Sequence, residues 1–331
     1  MCEKLFDRDN VIKSGDHILM WPYLCLKYSL YENKNFYHYT DVNGFLGIIN
    51  NHEFWLSHIK YMNDSAEYIE GENICKNLIT NFCKKVNSDE KDLLTSLQTV
   101  ISNDKSLGLF SFSRNDIFSI SFTRDRDSLD MWRGYGKSSG IAIGFDAEKC
   151  NLLPGIALVL KERYETNTKN KTKNEMFFNV YNIIYNNELK EKIITDVLDI
   201  GLEFYRKMKD KDLALKFLTD SLFSIFPFMK NQGFKNENEC RFIDNISAAS
   251  RLSNLFTIEY RERSGIILPF IKYQIVDHDC NPIVNWPINE IVVGPSLRQK
   301  DLANSIRYFL IKHGYDELAE KVVLSSIPYK P

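Results

Sequence analysis

Two glutamates and an arginine occupy every second position between residues 237 and 241, in the run Glu-Asn-Glu-Cys-Arg. If this segment is a β-strand, Glu237, Glu239 and Arg241 share one face, because successive side chains point to opposite sides. A carboxylate whose charge is held by a guanidinium can stabilise a developing cation or deprotonate a hydroxyl. The alternative interpretation is a solvated edge strand with a surface ion pair, which adds little stability.

A histidine and a threonine alternate with tyrosines in a second segment, residues 36–40. On a strand His38 and Thr40 point to one side, and Tyr37 and Tyr39 point to the other. The helix predicted over residues 41–51 would direct free N–H groups and its positive dipole end toward this pair. His38 and Thr40 could then hydrogen-bond a ribose and a carboxamide. Alternatively, His38 is packed within the strand and Thr40 caps the helix.

Hydroxyl groups and aromatic rings meet in a third segment. One face of the predicted strand at residues 117–123 carries three hydroxyls: Ser119, Ser121 and Thr123. A short turn closed by two glycines follows, with two rings and a guanidinium: Trp132, Arg133 and Tyr135. Such a group suits a flat or anionic ligand. Equally, Trp132 could belong to the core and Arg133 could pair with a nearby carboxylate.

Two further polar groups have weaker claims to function. Asp64 and Glu67 fit a capping box at the start of a helix, which is a structural role. Three arginines near the ring cluster could hold an unpaired base against it: Arg124, Arg126 and Arg133. The competing interpretation is that these arginines are solvated or pair with Asp125, Asp127 and Asp130.

Composition excludes several classes of protein. The chain has 331 residues, of which 44% are apolar and 26% charged, so it can bury a sizeable core and is not disordered. Its net charge of −2 disfavours a nucleic-acid coat protein. Seven cysteines without a CxxC pair disfavour a disulfide framework and a zinc ribbon. Phosphate-loop, Rossmann, HExxH and GxSxG motifs do not occur.

The order of predicted elements indicates an α+β protein, with a mixed β-sheet core and a helical insertion. Short strands are predicted near residues 36–40, 54–57, 117–123, 140–145, 239–244, 265–275 and 290–293. Helices are predicted near residues 63–83, 88–101 and 302–313. The predicted units are a lead-in (1–34), a first core segment (35–163), the helical insertion (164–228) and a second core segment (229–331).

In order and spacing, motifs spread over most of the chain resemble a bacterial family, domain of unknown function 2971. These motifs include residues 37–40, 61–67, 121–122, 131–136, 140–145, 237–241, 291–295 and 325–329. No single motif is specific by itself, so the resemblance depends on their succession along the chain.

The N-terminal part carries a second resemblance. The segment His38-Tyr39-Thr40, the following helix with Gly44, and the strand at residues 54–56 are similar to the opening of ADP-ribosyltransferases. That superfamily includes DarT-type toxins, poly-ADP-ribose polymerases and tRNA 2′-phosphotransferases. The resemblance implies their fold for the mixed sheet and NAD as a substrate. This chain differs from the polymerases in having Tyr39 where they have glycine.

The same resemblance implies roles for individual residues. His38 would bind the adenosine-side ribose of NAD, and the backbone of Tyr39 would hold the nicotinamide amide. Glu239 would stabilise the oxocarbenium-like transition state, with Glu237 beside it as in protein-arginine-modifying members. The candidate catalytic residues are therefore Glu239 and Glu237, and the candidate cofactor-binding residues are His38, Tyr39, Thr40, Ser121, Trp132, Arg133 and Tyr135. Trp132 and Tyr135 are both candidates for the ring that packs on nicotinamide.

The expected activity is NAD-dependent transfer of ADP-ribose to a macromolecule, without a metal, as in a bacterial toxin or phage-defence effector. The acceptor would be nucleic acid or protein, and an antitoxin or regulatory protein would be a further partner. No signal peptide or membrane segment is expected, so the expected location is the cytoplasm. The alternatives are a non-catalytic nucleotide or nucleic-acid sensor and a protein-interaction module. The enzyme and the sensor require His38 and Glu239 to converge on one pocket.

Overall fold

The computed structural model describes residues 7–15, 19–30, 32, 34–62, 68–103, 117–136, 139–146, 157–160, 180–245, 257–263, 265–276 and 286–328. The described helices are α1 Arg8–Ser14, α2 Met20–Tyr28, α3 Val42–Asn51, α4 Ile69–Phe82, α5 Ser88–Asn103, α6 Leu129–Met131, α7 Asn187–Met208, α8 Lys211–Ile225, α9 Gln299–Lys312 and α10 Asp316–Glu320. The described strands are β1 Phe36–Thr40, β2 Glu53–His58, β3 Ile117–Thr123, β4 Ile141–Phe145, β5 Ala157–Leu160, β6 Tyr181–Asn182, β7 Glu239–Asn245, β8 Glu259–Arg263, β9 Ile266–Val276, β10 Ile288–Val293 and β11 Val322–Leu324.

All of these strands belong to one sheet, which branches at β3. The main path runs β11-β10-β4-β1-β3-β2-β9-β5, while β7 pairs with β3 and β6, and β8 pairs with β9. Every described pair is antiparallel except β10 with β11. The α+β class with a mixed sheet is therefore confirmed. The finer expectation of an ADP-ribosyltransferase fold stays a prediction.

The branch at β3 divides the sheet into two half-sheets. Strand β7 pairs with β3 along its whole length, from Ile117 to Thr123. Strand β2 pairs with β3 only at Phe118 and Ser119, and β1 only at Thr123. Since β1 and β2 separate between these points, β1 continues onto β4 and β10, and β2 continues onto β9.

Each side of the sheet is covered by its own apolar core. The apolar cluster on one side, which we call the sheet core, is rich in phenylalanine and includes Phe36, Phe54, Phe122 and Phe145. Helices α3 and α9 contribute Phe45 and Leu310 among others to this core. The other core, which we call the helical core, is formed by helices α1, α2, α4, α5, α7 and α8. Both cores reach β3, which explains why six of its seven residues are buried.

The lead-in and the helical insertion pack together instead of forming separate layers. Helix α7 contacts α1 and α4, and α8 contacts α2 and α5. The apolar face of α7 supplies Ile193, Ile194, Val197 and Leu198 to the helical core. Asn186 caps the helix through the Leu189 N–H. Helices far apart along the chain thus share one core, because each has only one apolar face to bury.

Most predicted elements occur within two or three residues of their expected bounds. Strand β3 has the predicted limits, and α3 is capped by Asp41, which accepts a hydrogen bond from the Gly44 N–H at 2.9 Å. The sequence prediction missed strand β8, whose alternation of charge and aromatic residues is weak. The capping box at residues 63–67 lies outside the described residues. Among the described helices, none is both long and apolar enough to cross a bilayer.

Gly44 and Gly47 of α3 provide a test of the packing between the end of β1 and this helix. A Cβ added at Gly44 would overlap Oγ1 of Thr40, whereas one at Gly47 would meet no atom within 4 Å. We expect Gly44→Ala to destabilise the protein by about 1–3 kcal/mol through overpacking. Gly47→Ala should be neutral or stabilising by up to ~1 kcal/mol, because alanine favours the helix. Urea unfolding of both variants measures the difference, and equal stabilities would contradict this packing.

Candidate functional site

Four charged side chains form a compact cluster where β7 meets the segment after α8. Arg241 donates from Nε and Nη2 to the two carboxylate oxygens of Glu239, at 2.5 and 2.9 Å. Lys230 donates from Nζ to Glu239 at 2.9 Å and to Glu237 at 2.6 Å. Arg241 also donates to the carbonyl oxygen of Pro227 at 3.2 Å. The cluster therefore joins the sheet to the end of the helical layer.

Burial sets the electrostatics of this cluster. Arg241 is 1% exposed, Lys230 3% and Glu239 6%. Burial alone would raise the pKa of Glu239, but the charges of Arg241 and Lys230 outweigh it and bring the pKa down to about 2. Glu239 is consequently ionised at neutral pH, and its two cations hold it in place.

Glu237 differs from Glu239 in both backbone and exposure. It ends a 3₁₀ turn, Gln232–Glu237, and strand β7 begins only at Glu239. The residue between them, Asn238, has φ of 42°, a left-handed conformation that interrupts the strand. The prediction that Glu237 and Glu239 share a strand face is therefore wrong. The turn instead brings Glu237 onto the same ammonium, Lys230, and leaves its side chain 21% exposed.

An open cleft of about 660 Å³ lies beside this cluster. It is bordered by the turn after β3, by the strand before α7 and by the 3₁₀ turn, with lining residues Asp125, Asp130, Asn182, Ile183, Tyr185, Lys235, Asn236, Asn238 and Glu239. Asn238 donates to Asp125 at 2.9 Å across one wall. The Tyr185 hydroxyl accepts from the Glu239 N–H at 3.1 Å. Asp125 and Asp130 outnumber Lys235 in this lining, whereas the charge of Glu239 is balanced by Arg241 and Lys230, so a small excess of negative charge favours a ligand group with positive charge.

The two candidate rings occupy different environments. Trp132 is 2% exposed, packs against Tyr39 with ring centres 4.5 Å apart, and donates from Nε1 to Asp127 at 2.7 Å. Tyr135 is half-buried, and its hydroxyl lies 3.4 Å from a carboxylate oxygen of Glu237. Arg133 is exposed on the same turn, Trp132–Gly136. Of the two rings, Tyr135 is therefore the one beside the charged cluster, and Trp132 belongs to the core.

Asp127 organises this turn, a role that the sequence did not reveal. Its carboxylate accepts from Trp132, from the Ser325 hydroxyl at 2.6 Å and from the Ser326 N–H at 2.8 Å. These hydrogen bonds outweigh burial and lower the pKa of Asp127. Asp127 thus ties the turn to the segment after β11, almost two hundred residues away.

Tyr39 also serves the turn. Its hydroxyl donates to the Asp125 carbonyl at 3.1 Å and accepts from the Ser128 N–H at 3.1 Å. Its side chain is 6% exposed, and burial raises its pKa. The bulk of Tyr39, where the polymerases have glycine, is thus accommodated by packing against Trp132.

His38 is half-buried against the sheet core. Its ring packs edge-on against Phe54 and Phe122, and its Nδ1 is 3.0 Å from the carbonyl oxygen of Ser121. Burial among these rings lowers the pKa of His38 to about 4. Ser121 lies in the stretch of β3 where β1 and β2 separate, so His38 satisfies a backbone carbonyl at the branch.

The pairing register puts His38 and Glu239 on opposite faces of the sheet. Thr123 is paired with Tyr37 on one side and with Glu239 on the other, so these three residues share a face. His38, one residue on, shares its face with Phe122 instead. The structure therefore brings Glu237, Glu239, Tyr135 and, across the β3–β7 pair, Ser121 to one side. His38 and Thr40 do not converge with them.

The arginines near the ring cluster make internal contacts. Arg126 forms a bidentate pair with Glu290, at 2.8 and 2.7 Å. Arg124 donates to Asn182 at 3.1 Å and to backbone carbonyls of the lead-in. Arg126 is exposed but is held by Glu290, which is not one of the neighbouring aspartates, and Arg124 is half-buried. Within the described residues, no group of three His, Cys, Asp or Glu side chains is arranged to hold a metal ion.

Lys230, which the sequence analysis also missed, directly follows an apolar run at residues 221–229. A single ammonium at the end of such a run is a signal of a buried ion pair, because an unpaired charge there would be costly. Its carbonyl oxygen accepts from Lys190 at 2.8 Å, and Lys190 is itself fully buried and paired with Glu70. Helices α4 and α7 thus support the position of Lys230.

Acid titration tests the charged cluster. Because the pKa of Glu239 is about 2 in the folded protein and near 4.5 when unfolded, its stabilising contribution should be full above pH 4.5 and decline as the pH falls toward 2. Glu239→Gln leaves two buried cations short of a partner and should cost about 3–5 kcal/mol at neutral pH.

The pH dependence of the stability of Glu239→Gln distinguishes loss of the Glu239 charge from a general loss of packing. Urea unfolding of Glu239→Gln should show a flatter decline between pH 4.5 and 2 than the unmodified protein. The control Glu203→Gln removes an exposed carboxylate paired with Arg8 at 2.7 Å and should change stability by less than about 1 kcal/mol. If Glu239→Gln and the unmodified protein declined alike, the low pKa would be refuted.

His38→Ala tests the packing of the histidine. The variant loses ring contacts and leaves the Ser121 carbonyl without its partner, so we expect a loss of about 2–4 kcal/mol in stability. His313→Ala, at an exposed histidine of α9's C-terminus, should cost much less. Calorimetric melting of both variants measures this difference. A normal melting temperature together with weakened NAD binding in His38→Ala would favour the ligand role implied by the sequence resemblance.

Residues 131–242 match the model of a family described as Protein of unknown function (DUF2971). The match covers roughly a third of the chain and supports the sequence resemblance over that stretch. The matched residues include the turn Trp132–Gly136, helices α7 and α8, and the cluster of Lys230, Glu237, Glu239 and Arg241. They do not include His38. No curated protein and no solved structure matches the chain significantly. The chain is thus similar to this family in the segment that contains the charged cluster.

Proposed function

We propose that the chain is an ADP-ribosyltransferase that cleaves NAD at the cleft beside Glu237 and Glu239. The observation that carries the proposal is the paired carboxylate arrangement. Glu237 is partly exposed and accepts a hydrogen bond at 2.6 Å from the buried ammonium of Lys230. Glu239 holds that ammonium from the other side, and Arg241 in turn holds Glu239. An ionised carboxylate of fixed position is what an oxocarbenium-like transition state requires.

The charge of the cleft fits the reacting half of NAD. The nicotinamide ring is cationic before the reaction, and positive charge moves to the ribose as the glycosidic bond breaks. Asp125 and Asp130 line the cleft, so they would attract this charge throughout. The hydroxyl of Tyr135 lies 3.4 Å from Glu237, and in this proposal its ring packs against nicotinamide.

The proposed reaction follows from these positions. The bond between C1′ of the ribose and the nicotinamide nitrogen breaks, and its electron pair neutralises the ring. An oxygen or nitrogen of the acceptor then bonds to C1′, and its proton passes to Glu237. Glu239 acts through Lys230 and is a positioning residue in this scheme. His38 has no part in it, because it lies on the other face of the sheet.

Release of nicotinamide from NAD tests the proposal. We expect the purified protein to release nicotinamide slowly with water as acceptor and faster with the right macromolecule. Glu237→Gln should lower the rate about 10²-fold or more, the scale of losing one preorganised electrostatic group. Chromatography of free nicotinamide gives the rate, and adenylate-labelled NAD identifies the labelled macromolecule.

Glu203→Gln is the matched control, since it removes a carboxylate from an ion pair of similar length, 2.7 Å, in α7. It should leave the rate unchanged. Because Glu237→Gln removes one partner of the buried Lys230, the folded fraction of each variant is measured by circular dichroism and the rates are compared per folded molecule. Equal rates for Glu237→Gln and Glu203→Gln would refute the assignment of Glu237.

A second candidate is a nucleotide sensor without turnover. The observation in its favour is that the charge of Glu239 is already balanced by Arg241 and Lys230 inside the protein. Binding of NAD detected by calorimetry, without release of nicotinamide in the presence of any cell fraction, would favour the sensor. Loss of that binding in Lys235→Glu, at the cleft wall, would place it in the same cleft.

A further inference from the structure

A second cluster of rings and cations lies on the half-sheet formed by β2, β9 and β8. Trp55 stacks on Phe270 with ring centres 4.5 Å apart and an interplanar angle of 26°. The guanidinium carbon of Arg261 is 5.3 Å from the Trp55 ring centre and 5.4 Å from that of Phe270. Phe270 is buried, whereas Trp55 and Arg261 are half-buried. We call this group of three residues the ring–arginine patch.

The cations of this half-sheet differ in their partners. Lys272 pairs with Glu259 at 2.6 Å. Arg261 donates from Nη2 to the Ser57 hydroxyl at 2.9 Å, and its buried Nε has no acceptor among the described residues. Neither Arg261 nor Arg263, two residues on, has a carboxylate partner in the same part of the chain. Because the Nε–H is closed to solvent, an anion would meet Arg261 through the terminal Nη groups of this half-buried side chain.

The neighbouring groups narrow the kind of anion. The indole N–H of Trp55 already donates to Glu53 at 2.8 Å, so a ligand would meet the ring through its π-surface. Phe270 covers part of that surface, and Arg261 and Lys272 lie 5.3 and 5.7 Å from the ring centre, so a base would stack on the part that they leave open. A guanidinium fork matches the oxygens of a phosphate, and a tryptophan ring stacks on a nucleobase. We propose that the ring–arginine patch binds one nucleotide unit, with the phosphate on Arg261 and the base on Trp55.

This site is distinct from the proposed NAD cleft. The patch belongs to the half-sheet that continues from β2, while Glu239 lies on β7 at the other edge of β3. Its occupant is either a free nucleotide or a nucleotide within a single strand, since both present the same phosphate and base. The inference does not depend on ADP-ribosyl transfer, because it rests on the patch alone.

Direct binding measurements test the patch. Fluorescence anisotropy with a labelled single-stranded oligoadenylate and calorimetry with AMP and inorganic phosphate use the unmodified full chain. Oligoadenylate binding much tighter than AMP binding would identify a strand as the occupant, and equal binding would identify the free nucleotide. For the strand, the logarithm of the affinity should fall with the logarithm of salt concentration, and each phosphate contact contributes a slope of about −0.7.

Variants of the patch give the sharper comparison. Arg261→Gln should weaken binding about 30-fold and lower the salt slope by about 0.7, since one charged contact is lost. Arg261→Lys keeps the charge but loses the fork, and should weaken binding about 10-fold. Trp55→Leu should weaken binding about 10-fold and leave the salt slope unchanged, because stacking involves no counterion release. Arg298→Gln, at an exposed arginine that pairs with Asp301, is the charge-matched control and should bind normally.

Three results would overturn the inference. They are the absence of binding by both AMP and oligoadenylate, normal binding by Arg261→Gln, and inorganic phosphate binding as tight as AMP. If Arg261→Gln does not fold, Arg261→Lys and Trp55→Leu serve instead, because both change residues of the patch itself. Normal affinity in both variants would also count against the site. Glu237→Gln should keep full nucleotide binding at the patch, so failure of this inference and failure of the NAD proposal can be told apart.

Discussion

The ion cluster of Glu239, Arg241 and Lys230 is the constraint on which the rest of the molecule depends. A guanidinium that is 1% exposed has to be neutralised inside the protein, and Glu239 does so with two hydrogen bonds. Lys230 brings a second positive charge from the end of the helical layer, and Glu237 balances it. Breaking one pair leaves a buried charge, so strand β7, the 3₁₀ turn and the helical layer must keep their relative positions.

The branch at β3 constrains the face of the sheet opposite the ion cluster, where it fixes the position of His38. When β1 and β2 separate, part of β3 loses a neighbour on that edge, and His38 takes over as the partner of the Ser121 carbonyl. A histidine used in this way is held neutral by burial and is packed between Phe54 and Phe122. The side chain that most suggested ligand binding in the sequence is therefore part of the branch.

The branch also separates two chemically different surfaces. On β7 and the adjoining turns, carboxylates predominate around an open cleft, which favours a cationic group. On β2, β8 and β9, Arg261 lies against a stacked ring pair and has no carboxylate partner among the described residues, which favours a phosphate beside a base. Two such surfaces on one sheet would let the chain bind an NAD molecule and a second nucleotide-bearing molecule independently. The match to a family of unknown function covers most of the first surface, without Asp125 and Asp130, and excludes the three strands of the second.

The sequence by itself determined the local structure, because alternation, capping and helical periodicity act over a few residues. Strand β3, helix α3 and the ring turn at Trp132 follow from such patterns. Pairing register is not local: one residue of register decides that His38 and Glu239 face opposite ways. Likewise, only the folded chain brings Asp127 to Ser325, and only the backbone of Asn238 removes Glu237 from the strand. The charged cluster was recognisable as a set of residue types, whereas its exposed member and its partner Lys230 were decided by tertiary packing.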